Sequence, residues 1–497
     1  MRSDRVVIGI AVALFLAAYT AIAFGFLNVP EGEIQLVYLA LLGAPVALAV
    51  VLWPQAALIV LAALVYSIDW LSEFWELVPR EATWLIDILI WILIGRTLLL
   101  MPGRKVRMPK IEKLIFLALA FALLSALLNR LGMTTVMIGL RVAFRYVFLY
   151  LAAYHMNVSR RWLRGFIIYL FVIGLIQTPI IIAQYNYLGW TDQDALCGTF
   201  GHSQTPGIAI FLLTLLCFLA ARIIEDRRLR ITDVLIIGFM SISPVLGEAK
   251  FYFLFLPVLL AFMIRSELFK RPVISLALFV FGFAIIYTAD YAILSTGGWA
   301  EGRNPLTYVT RLRETFESEL QEPPEDTYER TYVIVSGMRL AMDNPKDFLV
   351  GNGPGSITRS YVSQNHSPKA AYYARWGLNS GSQSIAWLLI EYGYFGTALL
   401  FSILWMIFRR GRVLRSSPER ELRIYGRMLE SMTFLYTAWL FYINAWQSDG
   451  MNFIYWPLAA MFVYLSHREE ARQLWVEQER RRASLRPAPP PAELKTT

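Results

Sequence analysis

The chain has 497 residues, 57% of them hydrophobic, and a net charge of +9, with a mean hydropathy of +0.49; ordinary soluble domains are only about 45–50% apolar, so that class is excluded. The excess Lys and Arg sit beside apolar stretches, where such residues set topology and meet anionic lipid, which argues against a nucleic-acid partner. Cys197 and Cys217 are too few for a disulfide framework, and the scattered His155, His202, His366 and His467 show no CxxC or HxxxH spacing that would hold a metal.

A spanning helix needs about 20 apolar residues. Candidate stretches in chain order are 6–27, 34–53, 56–71, 84–101, 114–128, 134–155, 165–185, 206–222, 231–246, 251–264, 272–293, 384–408, 432–446 and 453–466. The pattern predicts an all-α, polytopic integral membrane protein with about 14 transmembrane helices. The stretches 56–71, 251–264 and 453–466 are short enough to be re-entrant or strongly tilted. Residues 1–27 have a basic start and an Ala21-Ile22-Ala23 site like a signal peptide. The apolar run is long for that role, so it is read as an uncleaved first helix.

The basic loops at Arg104–Arg107, Arg160-Arg161, Arg227–Arg230, Arg265–Arg271 and Arg409–Arg427 all fall on one side of this arrangement, with the Arg480–Arg482 tail. The positive-inside rule makes that side cytoplasmic, with both termini. The short opposite loops carry Glu31, Glu33, Glu73, Glu76, Asp192, Asp194 and Asp449. The chain divides into transmembrane helices over 1–293, a large outward loop over 294–383, further helices over 384–466, and a tail over 467–497. That tail starts as a charged helix and ends in a proline-rich, disordered segment. No internal repeat of the kind common in secondary transporters is visible.

Ionisable residues inside spans are costly and point to function. Arg141 and Arg145, four residues apart on one helix face, repel each other unless both meet an anion, and a pyrophosphate suits their planar forks. The alternative is that they snorkel. Asp87 and Arg96 are nine residues apart in one stretch and form no obvious pair. In Gly247-Glu248-Ala249-Lys250, Glu248 and Lys250 form an interfacial ion pair or Lys250 adds a phosphate contact. The loop Gly198-Thr199-Phe200-Gly201-His202 permits close backbone approach to a ligand, and His202 either binds sugar or phosphate or is simply solvated.

In the large loop, Asp326–Asp343 reads as a helix flanked by Arg330 and Arg339, and Asn344-Pro345 stops it. Gly351-Asn352-Gly353-Pro354-Gly355 makes a turn whose amides could face an anion, though most such turns are only turns. Glu329, Asp343 and His366 are the acid or base candidates nearby.

The order Arg330, Asn344-Pro345, Gly351-x-Gly353-x-Gly355 and Glu391-x-Gly393-x-x-Gly396 resembles the signature of the O-antigen polymerase and ligase superfamily. Gly198–Gly201 resembles the loop before that family's corresponding span, and Glu248-Ala249-Lys250 resembles its exopolysaccharide-type members. The resemblance covers roughly residues 134–400. It implies a glycosyltransferase of the bacterial inner membrane whose large loop is periplasmic. Its donor would be an undecaprenyl-pyrophosphate-linked oligosaccharide, its surroundings membrane lipid, and its candidate protein partners a flippase and a chain-length regulator.

By resemblance, Arg141 and Arg330 match arginines that hold the pyrophosphate, and no metal or other cofactor is implied. Expected catalytic residues are Arg330, His366 and Glu329. Expected substrate-binding residues are Arg141, Arg145, His202, Glu248, Lys250, Arg339, Gly353 and Gly355. One departure stands out: where the family carries a His-Asn pair before the helix glutamate, this chain has Ser382-Gln383. The expected reaction is polymerisation of repeat units into exopolysaccharide, capsule or O-antigen. The alternatives are ligation of glycan to lipid A-core, lipid-linked oligosaccharide flipping, and a peptidoglycan-type polymerase.

Overall fold

The computed structural model describes residues 52–78, 83–100, 109–188, 196–201, 204–247, 249–265, 276, 280, 330–358, 368–378 and 383–484. Among them every regular element is helical. The expected span 6–27, almost all of 34–53 and of 272–293, the signal-like start and the proline-rich end lie outside the described residues.

In chain order the helices are α1 (Pro54–Val65), α2 (Ile68–Glu73), α3 (Trp84–Leu100), α4 (Lys110–Leu128), α5 (Met133–His155), α6 (Arg160–Leu188), α7 (Thr205–Asp226), α8 (Ile231–Leu246) and α9 (Lys250–Ile264). In the large loop come α10 (Arg330–Met342), α11 (Pro345–Val350) and α12 (Pro368–Ala374), then α13 (Ser384–Arg415), α14 (Arg420–Tyr442) and α15 (Asp449–Ser484). Among the described residues, α4, α5, α6, α7 and α13 are long and apolar enough to cross a bilayer.

Three expectations change. The stretch 56–71 is not one helix: it breaks at Tyr66-Ser67, leaving Asp69 in the separate short α2. The stretch 432–446 belongs to a helix that begins at Arg420 and ends at Tyr442. The expected span 453–466 and the charged helix after it are one continuous helix, α15. Asn344 does stop α10, and it also starts the next helix: its Oδ1 accepts from the Asp347 amide at 2.8 Å, the usual work of an asparagine N-cap.

The bundle is built around α7, whose apolar window is 89% buried. Small residues allow close helix approach, as they do in membrane bundles. In the α13–α14 hairpin a Cβ on Gly426 would lie 2.5 Å from the Arg415 nitrogen. One end of the bundle is an ionic lattice joining distant segments. Glu430 meets Arg265 and Arg415; Glu225 meets Arg423 and Arg427; Glu419 meets Arg160 and Arg472. These arginines come from the loops that the charge pattern assigns to one side, together with the start of the tail helix. The helix α5 runs 23 residues away from this lattice, about 35 Å at 1.5 Å per residue. The polar features described next gather toward its other end.

Candidate functional site

The glycine-rich turn is locked to a break in α13. Gly393 has φ +64° and interrupts the helix, so the carbonyls of Ile390 and Glu391 are free to accept from the turn. They take the amides of Asn352 and Gly353, each at 2.8 Å. The fully buried Glu391 carboxylate then accepts from the Gly355 amide at 2.9 Å, the Ile357 amide at 3.1 Å, and the Thr358 amide and hydroxyl at 3.0 and 2.8 Å. A Cβ on Gly351 would fall 2.4 Å from the Gly393 nitrogen, and one on Gly355 2.1 Å from the Thr135 carbonyl. Glycine is therefore required at both, and both also have positive φ. The turn amides are thus taken up within the chain, those of Asn352 and Gly353 by backbone carbonyls and that of Gly355 by the Glu391 side chain, and Gly353 and Gly355 anchor the loop.

The same turn rests on α5. A Cβ on Gly139 would lie 2.1 Å from the Gly355 nitrogen, so Thr135 and Gly139 form the docking face. Two residues further along, about 200° around a helix of 3.6 residues per turn, Arg141 and Arg145 point elsewhere. Arg141 donates through Nε to Asp87 Oδ2 at 3.1 Å and pairs with the same oxygen through Nη2. Arg145 donates to Asp87 Oδ1 at 2.5 Å and pairs with Asp449. The anion that this arginine pair needs is thus present within the chain, and Asp87 is the residue that joins them. Arg145 is 10% exposed at its side chain whereas Arg141 is 40% exposed. Arg145 is enclosed by the protein, and Arg141 keeps part of its side chain exposed.

Local structure puts Asp449 there. Ser384 Oγ accepts from the Trp446 amide at 2.8 Å, and the Trp446 indole donates to the Ala143 carbonyl at 2.9 Å. Asn452 holds the carbonyls of Ala445, Trp446 and Ser448. These contacts bring the start of α15 onto α5 between its two arginines. The loop Leu196–Gly201 lies close by, held by α6: Gln184 takes the Gly198 amide and carbonyl, and Gln177 takes the Thr199 amide. A Cβ on Gly201 would meet Asp69 Cβ at 2.6 Å, so this loop covers α2. Asp69 lies beyond the apolar helix α1; burial, with repulsion from Asp449 and Glu73, pushes its carboxyl up to about 7. That is the range a proton acceptor needs near neutral pH.

Of the expected site residues, Arg141 and Arg145 are brought together. Arg339 is exposed on α10, and Arg330 and Lys250 are described in backbone only, as the first residues of α10 and α9. Glu329, His366, His202 and Glu248 lie outside the described residues. Sequence reasoning missed Asp69, because it fell inside an expected span, and left Asp87 without a partner. The acidic Asp449 was visible only as a loop residue. No family model matches the chain, and no curated protein matches it.

Proposed function

We propose that this chain is a membrane glycosyltransferase that polymerises polyprenyl-pyrophosphate-linked oligosaccharide repeats at the periplasmic face of a bacterial inner membrane. On this reading it has about fourteen spans and cytoplasmic termini, and its product is an exopolysaccharide, capsule or O-antigen. The observation that carries it is the partly exposed Arg141 side chain, fixed by Asp87 beside Arg145 on the same helix against which the anchored loop docks.

The reaction follows from that placement. An acceptor hydroxyl oxygen attacks the anomeric carbon of the donor, and the bond from that carbon to the pyrophosphate oxygen breaks with inversion. The electron pair leaves on the lipid pyrophosphate, where Arg141 meets the developing charge. Arg330, and Lys250 at the head of α9, are the further cations proposed to contact it. The acceptor proton passes to a base. Asp69 joins Glu329 and His366 as a candidate, through its raised carboxyl near Asp449, the partner of Arg145.

The test is reconstitution of the purified protein with a synthetic polyprenyl-pyrophosphate oligosaccharide, without nucleotide, comparing wild type with Arg141→Gln and Arg330→Ala. Wild type is expected to make a ladder of longer glycans. Arg141→Gln should lower the rate about 10²–10³-fold, as loss of one oxyanion donor does, with stability within about 1 kcal/mol because the side chain is half-exposed. Transfer to an added lipid A-core acceptor without lengthening would replace polymerase by ligase. Movement of the lipid-linked sugar across the bilayer, with no bond formed, would replace enzyme by flippase.

A further inference from the structure

Four residues of α13, Trp405, Phe408, Arg409 and Arg412, have no part in the proposed reaction. Their spacing of three, four and seven places them on one helix face. They lie at the ionic end of the bundle, where the apolar run of α13 gives way to arginines. Trp405, Arg409 and Arg412 are all exposed, so this face turns outward.

Side chains on a helix lean toward its N-terminus, which here means toward the apolar run. Arg412 lies back in that direction, its guanidinium carbon 5.2 Å from the Phe408 ring centre and 5.9 Å from that of Trp405. Phe408 stacks on Trp405 at 5.7 Å and meets Phe262 of α9 at 6.1 Å. Phe262 is held by stacking on Phe434 at 4.1 Å. It carries a second guanidinium, that of Arg265, 3.7 Å from its own ring centre. A row of rings thus crosses from α13 to α9 with an arginine at each side.

One carboxylate serves two of the arginines here: Glu430 accepts from Arg265 at 2.5 Å and from Arg415 at 3.1 Å. The charges of Arg265, Arg412 and Arg427 all repel Arg415, and Arg427 is itself paired with Glu225. Among the described residues no carboxylate pairs with Arg409 or Arg412. A ring face attracts a guanidinium but does not neutralise it. Exposed rings at an apolar boundary, with such cations beside them, fit a ligand that is apolar at one end and anionic at the other. Phosphate suits the planar guanidinium fork, and acyl chain suits the rings. A soluble anion would meet the cations and leave Trp405 uncovered, whereas a zwitterionic lipid would bring its own cation to the arginines.

We infer that this face of α13, with Arg265 of α9 beside it, binds an anionic phospholipid. The phosphate lies at Arg409 and Arg412, and an acyl chain runs along Trp405 and Phe408.

The purified full-length protein in neutral detergent would be titrated with phosphatidylglycerol or phosphatidylcholine, and the retained lipid counted by native mass spectrometry. Wild type is expected to hold one phosphatidylglycerol at concentrations where phosphatidylcholine is lost. Arg409→Gln combined with Arg412→Gln should weaken that binding at least about tenfold, at roughly fivefold for each arginine. Both side chains are exposed, so the unfolding temperature should stay unchanged. Trp405→Ala, which leaves the charge alone, should weaken binding as well. Arg161→Gln combined with Arg228→Gln removes two exposed arginines elsewhere at the same end and should leave retention as in wild type. Equal retention of the two lipids, or equal loss in the two double variants, would overturn the site and reduce it to general surface charge. Displacement of phosphatidylglycerol by an equal concentration of glycerol phosphate would overturn the lipid assignment in favour of a soluble phosphate ester. No arm requires turnover, so the site stands or falls apart from the polymerase reading.

Discussion

Among the described residues, two carboxylate centres near the glycine-rich turn and α5 are finished differently. Glu391 accepts from three backbone amides and one hydroxyl. These donors are neutral and fixed by the chain's own path, and the carboxylate they surround is fully buried. Asp87 accepts from two guanidiniums on long side chains, one of which remains 40% exposed. The contrast is between a closed contact and one that leaves a cation's side chain partly exposed. A carboxylate wrapped in backbone amides can only hold its loop, and it leaves nothing for a ligand. Asp87 holds Arg141 in position while part of that side chain stays exposed.

The largest effect should come from breaking the anchored centre. Glu391→Ala strips the acceptor from three amides, two of them on buried residues. At about 1–3 kcal/mol for each unsatisfied group, the loss is expected to be on the order of 4 kcal/mol, seen as a large fall in thermal unfolding temperature in detergent. Limited proteolysis should then cut within 351–358. Glu391→Gln should lose less, since it keeps one oxygen for the Thr358 donors and sets an NH₂ against the Gly355 amide. A Glu391→Ala protein as stable as wild type but inactive would reverse the comparison and make Glu391 part of the chemistry.

The second substitution tests the other half. Arg145 touches both Asp87 and Asp449 from a site almost without exposure. Arg145→Met removes the cation shared by both carboxylates and leaves Asp449 without its guanidinium while Asp87 keeps Arg141, a change that in buried pairs typically costs about 3–5 kcal/mol. Adding Asp449→Asn should recover part of that loss, because it deletes the stranded charge. Unfolding of the single and double variants by denaturant measures the coupling. If Arg145→Met proves no more disruptive than Arg141→Gln, the two arginines are equivalent and the division of labour between them fails.

Much of this was open to a reading of the sequence, for a definite reason. Helices such as 231–246 follow from runs of apolar residues, a local property, and the structure reproduces those bounds. The Asn344-Pro345 stop and the glycine-rich turn are likewise local. What pairs with them is not. Glu391 reaches the turn across more than thirty residues, and Arg145 finds Asp449 across 304. No spacing rule links such positions, so the turn was readable while the Glu391 side chain that meets its Gly355 amide was not. Asp69 was hidden differently: a run of apolar neighbours concealed a helix break that only Ser67 and Asp69 themselves marked.

That break allows a subtler probe of the open centre. Asp69 has its carboxyl raised from an ordinary 3.8 to about 7, by burial first and then by Asp449 and Glu73. The folded protein therefore holds this proton more tightly than the unfolded chain does. By linkage the contribution of Asp69 to stability is greatest below pH 3.8 and is lost as the pH rises through about 7. Asp69→Asn, which cannot ionise, should remove that decline, so the variant gains on wild type between about pH 4 and 7 and the gap levels off above. The measurement is the difference in unfolding temperature between the two proteins across that range. A parallel difference with no pH dependence would mean that Asp69 carries no displaced proton. It would then be a poor base for the acceptor hydroxyl, and the open centre would be left with its cations alone.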